Sequence, residues 1–162
     1  MLREYQIEIC EKVNEAFKAH RSVMVQMPTG TGKTVVLASL VQQFFFFFSD
    51  SAVVIVAHRK ELVEQIQNTL KKVFFFENSP VPSAEGATAH ISVMSIQWLS
   101  RNIDMVRKKP DLVIIDEAHH ALAKTYQMLW TAWPEAKFLG LTATPYRMSG
   151  DGFTDLFEVL VD

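Results

Sequence analysis

The apolar residues of this chain follow two periods that alternate along the sequence. Five short, mainly apolar runs are predicted to be buried strands of a sheet: Ser22–Gln26, Ala52–Ala57, Ile91–Met94, Leu112–Ile115 and Phe138–Leu141. Five segments with apolar residues at helical spacing are predicted to be helices: Leu2–Ala19, Lys33–Gln43, Arg59–Val73, Ile96–Val106 and Tyr126–Trp133. Strands that alternate with helices predict an α/β fold, a mainly parallel sheet with helices on both faces. Such sheets bind ligands beyond the carboxyl ends of their strands.

The remaining segments are less informative about function. Residues 77–89 contain two prolines, a glycine and two serines, and are predicted to form a loop. Of the twelve phenylalanines, five form the run Phe44–Phe48 and three the run Phe74–Phe76. Successive helical positions point around the whole cylinder, so such a run is either an exposed aromatic patch or not the natural sequence, and we assign it no function. The chain stops inside the apolar segment Leu156–Val161, which we interpret as a cut in a longer polypeptide.

Composition and charge narrow the class of protein. The chain has 162 residues, a formal net charge of −2 and a single cysteine, Cys10. This length suits one α/β domain, and a single cysteine excludes a disulfide framework and a thiolate zinc cluster. There is no signal peptide and no run of the roughly 18 apolar residues that span a bilayer, so we expect a cytoplasmic protein without a membrane partner. Because the chain is not basic overall, any binding of nucleic acid would depend on a few placed groups.

The strongest functional signal, MPTGTGKT, lies between the first strand and the second helix, at Met27–Thr34. Its glycines allow successive backbone N–H groups to point at phosphate oxygens, and the helix N-terminus adds partial positive charge. Lys33 can reach the β- and γ-phosphates, and the Thr34 hydroxyl can ligate Mg²⁺. The segment therefore predicts ATP and Mg²⁺. Its predicted nucleotide-binding residues are Thr29, Gly30, Thr31, Gly32, Lys33 and Thr34.

The second signal is LVIIDEAH, at Leu112–His119. Four apolar residues followed by two acids place both carboxylates at the carboxyl end of a strand, opposite the phosphate loop. Asp116 would hold Mg²⁺ through its water shell, and Glu117 would orient and deprotonate the attacking water. A glutamate directly after the aspartate favours hydrolysis over transfer to a bound acceptor, which argues against a small-molecule kinase. No metal-ligand pattern surrounds His119, which we interpret as a hydrogen-bonding relay.

Three segments together resemble superfamily 2 helicases with a DEAH box: PTGTGKT at 28–34, DEAH at 116–119 and LTATP at 141–145. Three longer segments are similar to the branch of RadD-like, XPB-like and type III restriction subunits: LREYQ at 2–6, VIVAHRKELVEQ at 54–65 and LGLTATPYR at 139–147. The similarity spans nearly the whole chain in the family's order. It implies a RecA-like P-loop NTPase domain at residues 1–162, and a second RecA-like domain elsewhere in the same polypeptide.

The resemblance also implies roles for residues outside the phosphate loop. Gln6 matches the glutamine that recognises adenine, although a helix-surface glutamine is the alternative. Four residues match positions that contact the nucleic-acid backbone: His58, Arg59, Ser95 and Gln97. Three match residues that link the state of ATP to domain movement: His119, Thr142 and Thr144. A solvated helix start and turn-forming hydroxyls remain the structural alternatives for these positions.

We therefore expect ATP hydrolysis coupled to movement along nucleic acid, DNA rather than RNA. Two alternatives stay open. One is a duplex-DNA translocase of a restriction system that does not unwind its substrate. The other is a nucleotide-binding interaction module without turnover, against which the intact pair Asp116 and Glu117 argues.

Overall fold

The computed structural model describes residues 4–27, 32–48, 51–71, 90–106, 109–118, 124–142 and 157–161. Within these residues the α-helices are α1 Glu4–Ala16, α2 Lys33–Phe47, α3 Lys60–Lys71, α4 Ile96–Asn102 and α5 Lys124–Ala132. The strands are β1 Ser22–Gln26, β2 Ala52–Ala57, β3 His90–Ser95, β4 Leu112–Asp116, β5 Lys137–Thr142 and β6 Val159–Val161. A 3₁₀ helix, Ile103–Met105, follows α4.

The strands form one sheet in the order β3-β2-β4-β5-β1-β6, and every neighbouring pair is parallel. This confirms the predicted α/β fold and its parallel sheet. The sequence pattern did not predict β6, because a run of three residues is too short to show a period. Its residue Val161 pairs with Val25 of β1, whose other neighbour is Leu141 of β5. Among the described strands, the first in the sequence therefore lies between the last two.

Each face of the sheet is covered by its own set of helices. Helices α1, α2 and α3 share one apolar cluster with Ile55 and Ile114. Helices α4 and α5 share the other cluster with Val56 and Ile115. These neighbouring residues fall into different clusters because successive side chains of a strand point to opposite faces. The predicted helices on both faces are confirmed.

Helix α2 runs past its predicted end at Gln43 and includes Phe44 and the three phenylalanines after it. Phe44 packs against the cluster beneath α1 to α3. Phe48, whose ring centroid lies 5.1 Å from that of Phe44, is 57% exposed. The aromatic run thus extends the helix and leaves an aromatic ring in solvent, as expected of a run that cannot face one core.

Two other helices are shorter than predicted. Helix α1 ends at Ala16. Helix α4 ends at Asn102, whose side-chain amide donates a 2.8 Å hydrogen bond to the carbonyl of Trp98 and so takes up a carbonyl of the last turn. The predicted loop 77–89 and the run Phe74–Phe76 lie outside the described residues. None of the helices in the described ranges is long and apolar enough to cross a membrane.

Candidate nucleotide-binding site

The carboxyl ends of β1 and β4 flank that of β5. The chain leaves β1, passes through residues 28–31 and enters α2 at Lys33. Gly32, immediately before the helix, has a φ of 79°. A residue with a Cβ adopts this left-handed conformation only at a steric cost, so glycine suits the position. Lys33, the first residue of α2, lies at the carboxyl end of β4, next to Asp116 and Glu117.

Lys33 pairs with both of these acids. Its Nζ lies 2.8 Å from Oδ1 of Asp116 and 2.6 Å from Oε1 of Glu117. The Asp116 side chain is only 6% exposed. Burial alone would lower the pKa of Lys33, but the hydrogen bonds and charges of Asp116 and Glu117 outweigh burial, and the pKa is raised. Lys33 is therefore charged at neutral pH, and its single ammonium group is shared by two acids.

Glu117 has an unusual backbone conformation. Its φ is 54°, in the left-handed region, which costs a non-glycine residue on the order of 1–3 kcal/mol. The buried residue after it, Ala118, packs against Gly140 of β5. A Cβ at Gly140 would lie 2.7 Å from the Cβ of Ala118 and 2.8 Å from the ring of Phe157. Because Gly140 has no side chain, Ala118 fits against β5, and the strained turn after β4 can adopt its conformation.

Two more of the predicted residues lie against the phosphate loop. Gln6 is 4% exposed, and a Cβ at Gly32 would clash with its side-chain nitrogen. Gln6 is thus not a helix-surface glutamine, although its role in adenine recognition stays a prediction. Thr142 is fully buried, and its carbonyl accepts a 2.8 Å hydrogen bond from the N–H of Met27. This hydrogen bond joins the end of β5, where the predicted coupling segment begins, to Met27, the first residue of the predicted phosphate loop.

This arrangement fits a nucleotide with Mg²⁺. A lysine held by two acidic side chains can exchange them for phosphate oxygens and still have anionic partners. Mg²⁺ at nucleotide sites is bound by one or two carboxylates together with substrate phosphates. Asp116 supplies one carboxylate, and Thr34, half-buried in the first turn of α2, supplies a hydroxyl beside Lys33.

The predicted nucleic-acid residues lie at the carboxyl ends of β2 and β3, which are neighbours in the sheet. The side-chain amide of Gln97 donates a 3.0 Å hydrogen bond to the carbonyl of His58. Ser95 caps α4, since its Oγ accepts a 3.2 Å hydrogen bond from the N–H of Trp98. Gln97 therefore links the start of α4 to the segment that follows β2, whereas Ser95 stabilises the first turn of α4. The Arg59 side chain is exposed and forms no ion pair with another described residue.

A cleft of about 380 Å³ opens beside these strand ends. It is lined by His58, Ile96, Gln97, Ser100, Arg101, Thr125 and Tyr126. The sequence had indicated a function only for His58 and Gln97, and the other five lining residues were missed. Arg101 follows Gln97 by four residues, a spacing that puts both on one side of α4 and could have drawn attention to it. Tyr126 carried no such signal, because a tyrosine at an apolar helix position indicates only a core residue.

Five of the predicted site residues lie outside the described ranges: Thr29, Gly30, Thr31, His119 and Thr144. The others form two groups on adjoining parts of one sheet edge. The first group contains Lys33 in direct contact with Asp116 and Glu117. It also contains Gln6, whose side chain packs against Gly32, the residue before Lys33. The second group follows β2 and β3.

Comparison with known proteins adds independent information. Residues 1–147 match the family model described as type III restriction enzyme, res subunit. A 51.5 kDa protein of a Lactococcus phage is 35% identical over 139 residues, which is 86% of this chain and 28% of the phage protein. The DNA 3'-5' translocase XPB2 of Sulfurisphaera tokodaii is 30% identical over 160 residues, 99% of this chain and 34% of that protein. The chain thus spans about a third of these relatives or less.

A solved structure confirms the fold. The helicase domain of Hef from Pyrococcus furiosus superposes with a TM-score of 0.78 at 22% identity, covering 98% of this chain and 37% of that domain. The predicted RecA-like fold is therefore confirmed, and the family match together with the XPB2 translocase confirms the predicted similarity to superfamily 2. With the family model covering most of its length, the chain belongs to the family of the type III restriction enzyme res subunit.

Proposed function

We propose that this chain is the ATP-binding domain of a motor that hydrolyses ATP and moves along DNA. The observation that carries the proposal is Lys33 held between Asp116 and Glu117 at the carboxyl end of β4. These three groups are those that the binding and hydrolysis of a nucleoside triphosphate require. The relatives named as a DNA translocase and a helicase domain support the same assignment.

Nucleotide binding begins with an exchange of partners at Lys33. In the ligand-free domain its ammonium group is bound to the two carboxylates. An arriving triphosphate offers oxygens of higher charge density, and charge-assisted hydrogen bonds to them replace the ion pairs. Gln6, whose side chain packs beside Gly32, is the residue that we assign to the base of the nucleotide. The exchange leaves Asp116 and Glu117 without their cation.

Hydrolysis then depends on the two released acids. Asp116 is positioned to hold the hydration shell of Mg²⁺, which, when bound, neutralises charge on the phosphates. Glu117 becomes able to accept a proton from a water aligned with the terminal phosphate. Its left-handed backbone, supported by the packing of Ala118 on Gly140, fixes the direction in which this carboxylate is presented.

The second group of residues provides the surface for DNA. Arg59 is exposed at the end of β2, and Gln97 joins the end of β3 to that of β2. An exposed arginine at a sheet edge is suited to a backbone phosphate, which carries no sequence information. The hydrogen bond from Met27 to Thr142 gives a route by which the phosphate loop affects the segment predicted to couple ATP to domain movement.

A second RecA-like domain is part of this proposal. An arginine from outside the phosphate loop contributes on the order of 10³–10⁵ in the rate of such reactions. Because the chain spans only about a third of its relatives, we assign that arginine and half of the DNA contacts to the second domain. The residues 1–162 alone should therefore hydrolyse ATP very slowly and respond little to DNA. The buried thiol of Cys10 suits a reducing compartment, and we place the motor in the cytoplasm.

The test is phosphate release by this chain and by a polypeptide that also carries the next α/β domain. Each is assayed without nucleic acid and with single-stranded DNA, duplex DNA or RNA. We expect stimulation by DNA in the longer polypeptide only. Stimulation by duplex alone identifies a translocase that does not unwind. Hydrolysis at several turnovers per second by the shorter chain contradicts the two-domain mechanism, and nucleotide binding without turnover in the longer one identifies an interaction module.

Arg59→Ala tests the DNA surface in the longer polypeptide. It should weaken binding similarly for all sequences and lower the salt dependence by about one phosphate contact. Lys60→Ala, at the next exposed position, is the charge-matched control and should leave the salt slope unchanged. Equal slopes for both variants and the parent would mean that Arg59 only begins a solvated helix.

A further inference from the structure

Gly140 leaves a gap in a row of buried side chains that crosses the sheet. Its partners in the neighbouring strands are Ile115 of β4 and Met24 of β1. Both of these side chains belong to the apolar cluster that α4 and α5 cover. Two groups from outside the row fill the gap, since Ala118 and the ring of Phe157 are nearest to the place of a Cβ on Gly140.

The two groups reach this gap from opposite ends of the sheet. Ala118 follows β4 at its carboxyl end. Phe157 lies two residues before β6, and the N–H of the next residue, Glu158, donates a 3.0 Å hydrogen bond to the carbonyl of Ser22 at the amino end of β1. The Cβ of Ala118 and Cζ of Phe157 nevertheless lie within 2.8 Å of the same point, the place of a Cβ on Gly140. The phenylalanine ring therefore connects the amino end of the sheet with the turn after β4.

The Phe157 ring is held firmly in this position. It is 1% exposed and packs edge-on against Trp130, with the ring centroids 5.4 Å apart. Trp130 in turn stacks on Phe138 at 4.0 Å, and its indole N–H donates a 3.1 Å hydrogen bond to Oγ of Ser22. Because these aromatic rings support one another, Phe157 is a fixed support for the residue above it.

The residue that this ring supports is Ala118, the neighbour of Glu117. The left-handed backbone of Glu117, with a φ of 54°, is unfavourable for a residue with a side chain and persists only where the surroundings enforce it. Ala118, 1% exposed in the gap at Gly140, supplies such a constraint. If Ala118 moved, Glu117 could relax to a common conformation, and its carboxylate, now 2.6 Å from Nζ of Lys33, would change direction.

We propose that Phe157 is a positioning residue for Glu117. Its ring holds Ala118 at the height at which Glu117 keeps the left-handed backbone and directs its carboxylate to the nucleotide site. The inference rests on the proposed function, since it requires Glu117 to accept a proton from the attacking water. It assigns a part in the hydrolysis step to a side chain whose backbone lies at the opposite end of the sheet from that step.

Phe157→Leu tests the inference in the two-domain polypeptide with DNA. Leucine stays apolar but lacks the far end of the ring, which is the part that reaches the gap at Gly140. Single-turnover hydrolysis should slow roughly tenfold to a hundredfold, as expected for a misplaced catalytic group. The affinity for a non-hydrolysable ATP analogue with Mg²⁺, measured by calorimetry, should stay within about twofold, because α2 with Lys33 packs on the other face of the sheet.

Phe138→Leu is the matched control. It makes the same substitution in the same apolar cluster, at a fully buried ring that stacks on Trp130. Phe138 pairs with Ser22 at the amino end of β1, away from the turn after β4. Both variants should lower the free energy of unfolding in urea, but only Phe157→Leu should slow hydrolysis.

A double-variant cycle separates positioning from a general loss of stability. In the Glu117→Gln background the base is already gone, so adding Phe157→Leu should not slow hydrolysis further. A defect that arises from a destabilised domain would instead slow hydrolysis by the same factor in both backgrounds.

Gly140→Ala tests the same contact by adding atoms, and so applies even if Phe157→Leu is too unstable to assay. The new methyl group would meet both Ala118 and the Phe157 ring, and hydrolysis should slow while nucleotide affinity is kept. Combining Gly140→Ala with Phe157→Leu should restore part of the rate, because the shorter side chain leaves room for the methyl group.

A parent-like rate of hydrolysis in Phe157→Leu or Gly140→Ala would overturn the inference alone. An equal loss of rate in Phe138→Leu, or a full additional loss in the Glu117→Gln background, would overturn it too. If the two-domain parent binds nucleotide but does not hydrolyse it, the proposed function fails and the inference fails with it.

Discussion

The two edges of the sheet use charged residues in opposite ways. At the amino edge, the guanidinium of Arg21 donates 2.8 Å hydrogen bonds to the carbonyls of Ala136 and Trp133. The Glu158 carboxylate accepts hydrogen bonds from the backbone N–H groups of Arg21 and Ser22, at the start of β1. The Asp111 carboxylate accepts a 2.9 Å hydrogen bond from the N–H of Ala52, at the start of β2. At the carboxyl edge, Lys33, Asp116 and Glu117 bind one another.

The partners of these charged side chains distinguish residues that stabilise the fold from residues that are available to bind a ligand. A backbone group is fixed by the fold, so a side chain bound to it joins two elements permanently. A side chain bound to another side chain can exchange that partner for a ligand without disturbing the backbone. We therefore expect substitutions at the amino edge to lower the free energy of unfolding, and substitutions at the carboxyl edge to change binding and turnover.

Lys33→Ala should have the largest effect. It removes the charge-assisted hydrogen bonds to the phosphates, each of which contributes about 1.5–3 kcal/mol. The affinity for ATP with Mg²⁺, measured by calorimetry, should fall on the order of 10²–10⁴-fold while the domain stays folded. Lys18→Ala, at a residue whose side chain is 73% exposed, is the control. Equal nucleotide affinity in Lys33→Ala and the parent would contradict the site assignment.

Glu117→Gln should separate binding from chemistry. It removes the base but keeps the shape, so turnover in the two-domain polypeptide should drop by roughly 10²–10⁴-fold. ATP should bind at least as tightly as in the parent, because one of the ion pairs that compete for Lys33 becomes weaker. Single-turnover hydrolysis and calorimetry measure the two quantities. Turnover within a few-fold of the parent would show that another group orients the water.

Arg21→Met should do the reverse, by leaving nucleotide affinity unchanged while the free energy of unfolding falls by about 1–3 kcal/mol. The physical reason is that the carbonyls of Trp133 and Ala136 lose their part-buried donor. Urea denaturation measures the loss, and Arg101→Met provides an exposed arginine for comparison. If Arg21→Met changed the affinity for nucleotide as strongly as the free energy of unfolding, the distinction between the two edges would be wrong.

Glu158→Gln should have the smallest effect, and one that depends on pH. Burial raises the pKa of Glu158, but hydrogen bonds from the N–H groups of Arg21 and Ser22 and from His20 outweigh it, and the pKa is lowered. A lowered pKa stabilises the fold above the ordinary glutamate pKa, and this contribution is lost as the pH falls through the folded value. The side chain is 45% exposed, so the difference at pH 7 should be at most about 1 kcal/mol. Denaturation curves at pH 7 and below pH 4 should show the difference disappearing in acid.

The sequence predicted most of the fold and the centre of the site because both leave local patterns. Apolar runs identified β1 to β5. The spacing of Lys33 from its glycines and of Asp116 from its strand singled out side chains that the structure brings into contact. The sequence did not predict β6, since the pairing of Val159–Val161 with β1 supplies what three residues cannot show alone.

Residues whose importance arises from packing escaped prediction. Gly140 resembled any glycine in a strand, because the atoms that require its small size belong to Ala118 and Phe157. Tyr126 resembled a core residue, because the cleft that it lines is completed by residues of other elements. Gln97, predicted to contact the nucleic-acid backbone, bonds to the carbonyl of His58 after β2, a long-range contact that no linear pattern reveals.

The position of β1 between β5 and β6 has a consequence for synthesis of the protein. Ser22, at its start, is bonded to Glu158, 136 residues later. During translation, at roughly 5–20 residues per second, β1 emerges early and waits several seconds for both partners. Strands β2, β3 and β4 can pair with one another in the meantime. Strand β1, which leads into the phosphate loop, gains its neighbours β5 and β6 last. Such long-range pairing slows folding, and we expect ATP binding by a nascent chain to appear only after β6 has left the ribosome.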